Sequence, residues 1–115
     1  MRRGDVFTAR FDPRSGAEQK GTRPVVIVSH DGFNESPGWR SVIVVPLSTS
    51  LAQTSRGPTA VPIDAGEGGL RKRSVALCHQ VTTLSRDKLG RRTGRLTQQG
   101  IARIDEGLRA ALSIE

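Results

Sequence analysis

Apolar residues along the chain come in short blocks, most of them strand-length. Asp5 to Phe11 alternates, with Phe7, Ala9 and Phe11 on one face and Val6, Thr8 and Arg10 on the other, which is the pattern of a half-buried strand. Residues 12–22, DPRSGAEQKGT, carry an Asp-Pro pair and two glycines and read as a long loop. Pro24 to Ser29 is unbroken in Val and Ile, which predicts a central strand. FNESPGW follows as a loop, with Pro37-Gly38 as its turn. Ser41 to Leu47 is a third strand, and Pro46 near its end marks a rim or bulge position.

The second half is more broken. Ser48 to Pro58 is polar and turn-rich, and Ala60–Ile63, Ser74–Cys78, Gln80–Leu84 and Gly94–Leu96 are short strand candidates. DAGEGGLRKR separates the first two of these. Its GEGGL core has the glycine content of a phosphate loop, but no Lys-Ser/Thr pair follows, so a mobile turn is expected. Only the end reads as a helix. Thr97 can cap a segment whose Ile101, Ile104, Leu108 and Leu112 share one face, with Asp105 and Arg109 as an outer i,i+4 pair. Short strands closed by one C-terminal helix predict a small, strongly curved antiparallel sheet or partial barrel, mainly β within the α+β range.

Composition narrows the class. The 115 residues suit one compact domain, 1–115, with a core of Val, Ile, Leu and Ala, because aromatics are only 3%. Met1-Arg2-Arg3 is charged but no apolar h-region follows, and VVIV and VIVVPL are too short to span a bilayer. The single cysteine, Cys78, has no second thiol for a disulfide or a metal cluster. A soluble, cytoplasmic protein is expected.

Charge is more specific. The formal net charge is +7, carried largely by arginine, whose planar fork suits phosphate. That permits a nucleic-acid partner, and equally a merely solubilising excess. A zinc site lacks support, since His30 and His79 lie far apart and no HExxH is present. Tyr is absent and Trp39 is alone, so the aromatic platform of a base-stacking module is missing. What remains is GAEQKGTRP, with Arg23 at the head of a strand, and VVPLSTS, with Ser48 just past the end of another. At one rim of an antiparallel sheet these two could face a bound phosphate. Alternatively, Arg23 is a surface arginine paired with Glu18, and Ser48 a turn former.

At these residues the chain resembles a known family. RRGDVFTARFDPRSGAEQKGTRPVVIVS is similar to the opening of MazF/PemK-type toxins, and the likeness continues through VIVVPLSTS, SVALCHQVTTL and GLRAALSIE. The resemblance implies a small, curved, SH3-like β-barrel with a C-terminal helix, assembled as a homodimer. It implies a sequence-specific endoribonuclease acting on single-stranded RNA without a metal or cofactor, the toxin half of a toxin–antitoxin pair. Arg23 then matches the catalytic arginine, and Ser48 stands where the family usually has threonine. Glu18 matches the loop glutamate, with Gln19 and Lys20 beside it, and Gln80 with His79 falls along the RNA groove. The partner implied is an acidic antitoxin laid over the basic surface.

Metal-free cleavage would use the RNA's own 2′-hydroxyl, leaving a 2′,3′-cyclic phosphate and a 5′-hydroxyl. Arg23 suits the stabilisation of charge on the phosphorane and cannot act as the base. Glu18 is the first candidate for the base and His79 the second. The flanking cations Arg14, Lys20, Arg71, Lys72 and Arg73 would meet neighbouring phosphates. Two alternatives are a CcdB-like toxin directed at DNA gyrase and a catalytically inactive RNA binder. The first is disfavoured because the chain ends Leu112-Ser113-Ile114-Glu115 without the C-terminal tryptophan such toxins share.

Overall fold

The computed structural model describes residues 1–11 and 21–115. Among them the strands are β1 (Asp5–Phe11), β2 (Gly21–Ile27), β3 (Ser41–Ser48), β4 (Ala60–Ile63), β5 (Ser74–Leu77), β6 (Thr82–Ser85) and β7 (Leu89–Arg95). The α-helices are a short one, α1 (Asp31–Asn34), and a long one, α2 (Gln98–Leu112), and 3₁₀ segments join several of the strands. The strands form one antiparallel sheet in the order β4-β5-β3-β2-β1-β7, with β6 also paired to β3.

β1, β2 and β3 divide their side chains between two cores. Val6, Val26, Val45 and Leu47 pack on one face with Val61, Ile63, Ala76, Leu96 and Ile104. Ala9, Phe11, Val25, Ile27, Val42 and Val44 pack on the other with Leu84. Two packed faces explain why β2 and β3 read as unbroken Val/Ile runs. They also correct the expectation for β1, which contributes to both cores instead of presenting one face to water. β2 is central, as expected, but begins at Gly21 and not at Pro24, so Arg23 lies within the strand.

β3 forks. Leu47 and Ser48 pair with β5, whereas Ser41 to Val44 pair with β6. Between these partners a single 3₁₀ turn, Cys78–Gln80, steps out of the sheet beside Val45 and Pro46. Proline has no N–H to give to a ladder, so this is where β3 can change partners. Gln80, expected in a strand, therefore belongs to the turn, and the strand starts at Thr82.

Three other expectations are revised. FNESPGW is not all loop, since Phe33 and Asn34 end α1. The GEGG segment is packed and not a mobile turn. Gly68 is buried at φ 62°, where an added Cβ would meet Val6, and its carbonyl accepts from Thr93 Oγ1 at 2.8 Å. The neighbouring Glu67 accepts from Thr97 N and Oγ1 at 3.1 and 2.7 Å, at the N-terminus of α2, where a carboxylate suits the helix dipole. Thr97 is the predicted cap, accepting from Gly100 N at 3.0 Å. The predicted Asp105–Arg109 pair is absent: Arg109 pairs with Glu106, and Asp105 with Arg3 at 2.6 Å. Among the described residues no helix is long and apolar enough to cross a membrane.

Arg3 ties three parts of the chain together. Besides Asp105 in α2, it donates from Nε to Val28 O at 2.9 Å and from its backbone N to Asp31 Oδ1 at 2.6 Å. Asn34, buried, donates to Ser29 O at 2.7 Å and to Asp31 Oδ1 at 3.1 Å. The Arg3 N–H first, and the Asn34 amide second, hold the Asp31 carboxyl below its ordinary value of 3.8.

Under α2 the packing is close. A Cβ on Gly107 would lie 2.6 Å from both Cys78 Sγ and Val61 Cγ2. Burial pushes the Cys78 thiol up to about 11.

Because the folded pKa of Asp31 is depressed, its contribution is complete above the ordinary carboxylate range and is lost as pH falls through the folded value. The stability advantage of the native protein over Asp31→Asn, measured by denaturant melts, is expected to be largest near neutral pH and to shrink below about pH 3.8. An unchanged difference across that range would place the proton elsewhere. Gly107→Ala should cost about 1–3 kcal/mol by overpacking, and Cys78→Ala in the same chain should recover part of it. In the native protein Cys78 should resist a thiol reagent at neutral pH until the chain unfolds.

Candidate active site

The register of β2 on β3 builds the site. Val25 pairs with Pro46 and Val26 with Val45. Continued two residues toward the open ends, the same register sets Arg23 across from Ser48, on the face that carries Val25 and Val44. Arg23 is exposed there, while Val25 to Ile27 behind it are buried. Pro24, half-buried, stands between, and its ring keeps Arg23 in extended conformations. On its other side Arg23 pairs with Ala9 of β1, so a fixed backbone frames it from one flank.

Ser48 is the last residue of β3 and is half-buried. Its Oγ accepts from Ser50 N at 3.1 Å, which uses one lone pair and fixes the hydroxyl at the strand end. The O–H remains a donor for an anion in front of the sheet. Beyond Ser48, the β3–β5 pairing brings the start of β5 alongside, where Arg71, Lys72 and Arg73 are exposed. The strand ends therefore gather a guanidinium, a hydroxyl and a basic triplet along one rim.

The Cys78–Gln80 turn projects near the same part of β3. His79 is exposed. Gln80 is half-buried, with Nε2 3.4 Å from His79 Nε2. Its Oε1 is shielded from solvent and has no hydrogen-bond partner among the described residues. An acceptor in that state carries a desolvation cost.

Glu18, Gln19, Lys20 and Arg14 lie outside the described residues. Phe33 and Trp39 form an exposed stack, ring centroids 4.5 Å apart, so Trp39 is not alone. It stands just before Ser41, at the end of β3 away from Ser48, and adds no platform to the Arg23 rim. Arg10, Thr22 and Lys88, which the sequence reading did not single out for binding, line a cleft between β1 and residues 87–90 that does not include Arg23. The available signal was the outward position of Arg10 in the alternation of β1. Lys88 is remote in sequence and gave none.

Known proteins share this arrangement of chain. The chain is 33% identical over 115 residues to endoribonuclease EndoA of Bacillus subtilis, covering 99% of this chain and 96% of that protein. It is 32% identical over 114 residues to endoribonuclease MazF of Staphylococcus saprophyticus, covering 99% and 92%. In fold it is similar to a mycobacterial endoribonuclease solved in complex with its cognate antitoxin, with a TM-score of 0.80 and 23% identity, covering 100% of this chain and 97% of that one. A model of the PemK-like, MazF-like toxins matches residues 2–112. With nearly every residue matched in order, the chain belongs to the PemK-like, MazF-like toxins of type II toxin–antitoxin systems.

Proposed function

We propose that this toxin is an endoribonuclease that cleaves single-stranded RNA, with messenger RNA as the substrate, between Arg23 and Ser48. The observation that supports the reading is the β2–β3 register at Val25 and Pro46, which, continued two residues, sets Arg23 across from Ser48. The relatives' names as endoribonucleases support the activity. Arg23 donates from its fork to the non-bridging oxygens of the scissile phosphate and offsets the charge that builds on the phosphorane. Ser48 donates its O–H to the same phosphate. Serine lacks the methyl of the family's threonine, so its rotamer is held by Ser50 N instead of by branching.

The attacking group is the RNA's 2′-hydroxyl. Its oxygen bonds to phosphorus, the bond to the 5′-oxygen breaks, and the products are a 2′,3′-cyclic phosphate and a 5′-hydroxyl. A base must take the 2′ proton, and an acid must supply one to the leaving oxygen. Glu18, five residues before Arg23 in the chain, is the first candidate for the base, and the exposed His79 is the second. Gln80 and Lys20 with Gln19 contact the RNA beside the scissile bond. Arg71, Lys72 and Arg73 hold phosphates on the β5 side.

The protein works in the cytoplasm as a homodimer, and the chemistry needs no cofactor. Its control is a cognate antitoxin whose acidic segment lies over the rim, a fit that the +7 charge favours. Exposed apolar side chains at the C-terminal end, Leu112 and Ile114, are available to either partner.

Purified protein incubated with defined RNAs in EDTA should give cyclic-phosphate and 5′-hydroxyl ends. Arg23→Ala should lower kcat by about 10²–10³. Ser48→Ala should cost less, and Ser48→Thr should keep full activity. Glu18→Gln should remove the lower limb of the pH–rate profile if Glu18 is the base, and His79→Gln should do so in its place if it is not. Undiminished cleavage by Arg23→Ala would sink the reading.

A further inference from the structure

The Cys78–Gln80 turn owes little to the sheet. β5 last meets β3 where Ala76 pairs with Leu47, and β6 first meets it where Thr82 pairs with Val44. Leu77 still pairs with Ala60 of β4, and residues 78–81 then run outside the strands. Their anchor is a side chain. Cys78 is buried in the core that holds Val61 and Ile104, and its S–H donates to Ile104 O of α2 at 3.8 Å. One helical turn further on, Gly107 is buried against the same thiol. A Cβ there would lie 2.6 Å from Cys78 Sγ and from Val61 Cγ2, 0.8 Å short of the 3.4 Å at which ordinary contact begins. Glycine inside a helix is less favourable than alanine, and here the absent methyl is the space that the thiol fills. α2 itself is held by Thr97 on Glu67 at 2.7 Å and by Asp105 on Arg3 at 2.6 Å. Val61 is held by its pairing with Ala76. Of the three parts that meet at Gly107, the turn is the one outside the ladder.

We propose that Gly107 and Cys78 are positioning residues for cleavage: the backbone of α2, brought close by Gly107, holds Cys78 and so fixes where His79 and Gln80 stand. The inference rests on the reading that this turn meets the RNA. Cys78 directly precedes His79, and Val81 N closes the turn on Cys78 O at 3.2 Å, so the three residues form one short unit. Gln80 Nε2 lies 3.4 Å from His79 Nε2. A displaced thiol therefore carries both side chains with it. Gly107 and Cys78 are themselves buried and touch no RNA. Arg23 and Ser48 are placed by the β2–β3 register and do not depend on this contact. A change at Gly107 should thus misplace the RNA beside the scissile bond while leaving the phosphate clamp intact. A misplacement of about 1 Å can cost about 10²-fold in rate.

The test compares Gly107→Ala with the native protein and with Ile63→Val, a core change at the end of β4 away from Leu77. All are kept well below their melting temperatures. The first measurement needs no RNA. In NMR spectra Gly107→Ala should move the His79 ring, Gln80 side-chain amide and Val81 backbone signals and leave the Arg23 amide in place. The second is cleavage of a defined RNA. Gly107→Ala should lower kcat/KM by up to about 10²-fold, and Ile63→Val should leave it unchanged. Gln80→Ala added to Gly107→Ala should cost less than it does alone, because the two changes act through one contact. Cys78→Ala added to Gly107→Ala should restore part of the loss. If Gly107→Ala does not fold, Cys78→Ala alone makes the same comparison. Unmoved His79 and Gln80 signals overturn the proposal. So does full additivity with Gln80→Ala, or an equal loss in Ile63→Val, which would make the effect one of general stability. If Gln80→Ala and His79→Gln both cleave as the native protein does, the RNA reading of the turn fails, and its support by α2 is judged on the spectra alone.

Discussion

Val25, Val26 and Ile27 are buried, with Val25 and Ile27 in one core and Val26 in the other, and β3 meets them with Pro46, Val45 and Val44. A slip of one residue would turn each of these side chains to the opposite core. Pro46 would also leave the place where β3 exchanges β6 for β5, and a paired position would lose its N–H. Arg23 and Ser48 need no contact with each other to be aligned. Their relative position follows from valines and isoleucines several residues away.

The arginines divide by what already occupies them. Arg86 donates to the carbonyls of Trp39, Phe33 at 2.7 Å and Asn34 at 3.0 Å, fixing the segment between β2 and β3. Arg92 and Arg95 lie 3.2 and 3.8 Å from the buried carboxylate of Asp5, and Arg3 is spent on Val28 and Asp105. These cations hold the fold together. The net charge thus overstates what a polyanion would meet, and the useful part is concentrated at the strand ends. Glu67 sharpens the contrast by occupying the N-terminus of α2, which would otherwise attract anions to another face.

Much of this was legible from residues alone. Alternation marked β1, the Val/Ile blocks marked β2 and β3, and Thr97 with its apolar stripe marked α2. β7 was recovered only from Gly94 onward. LGRRTGR is polar because it is an edge strand, and β1 supplies its ladder without demanding an apolar face. The 3₁₀ turn at Gln80 was missed because its cause is Pro46, more than thirty residues earlier. The partner of Asp105 was misjudged for a related reason: it reaches across the tertiary fold to Arg3, where local spacing carries no signal. Arg23 and Ser48 stood out by residue type and strand position, yet only the register, continued past Val25 and Pro46, sets them across from each other.

Arg3 and β1 carry a consequence for synthesis. The first strand takes one of its two neighbours from β7, and the residue just before it is tied to Asp105 in α2. On the ribosome, β1 and β2 emerge long before these partners exist. The rim that holds Arg23 is consequently unsupported on its β1 side until the last strand and helix have been made. Dependence on such distant pairings slows assembly. For a protein that attacks RNA, it also delays competence until α2 has been translated.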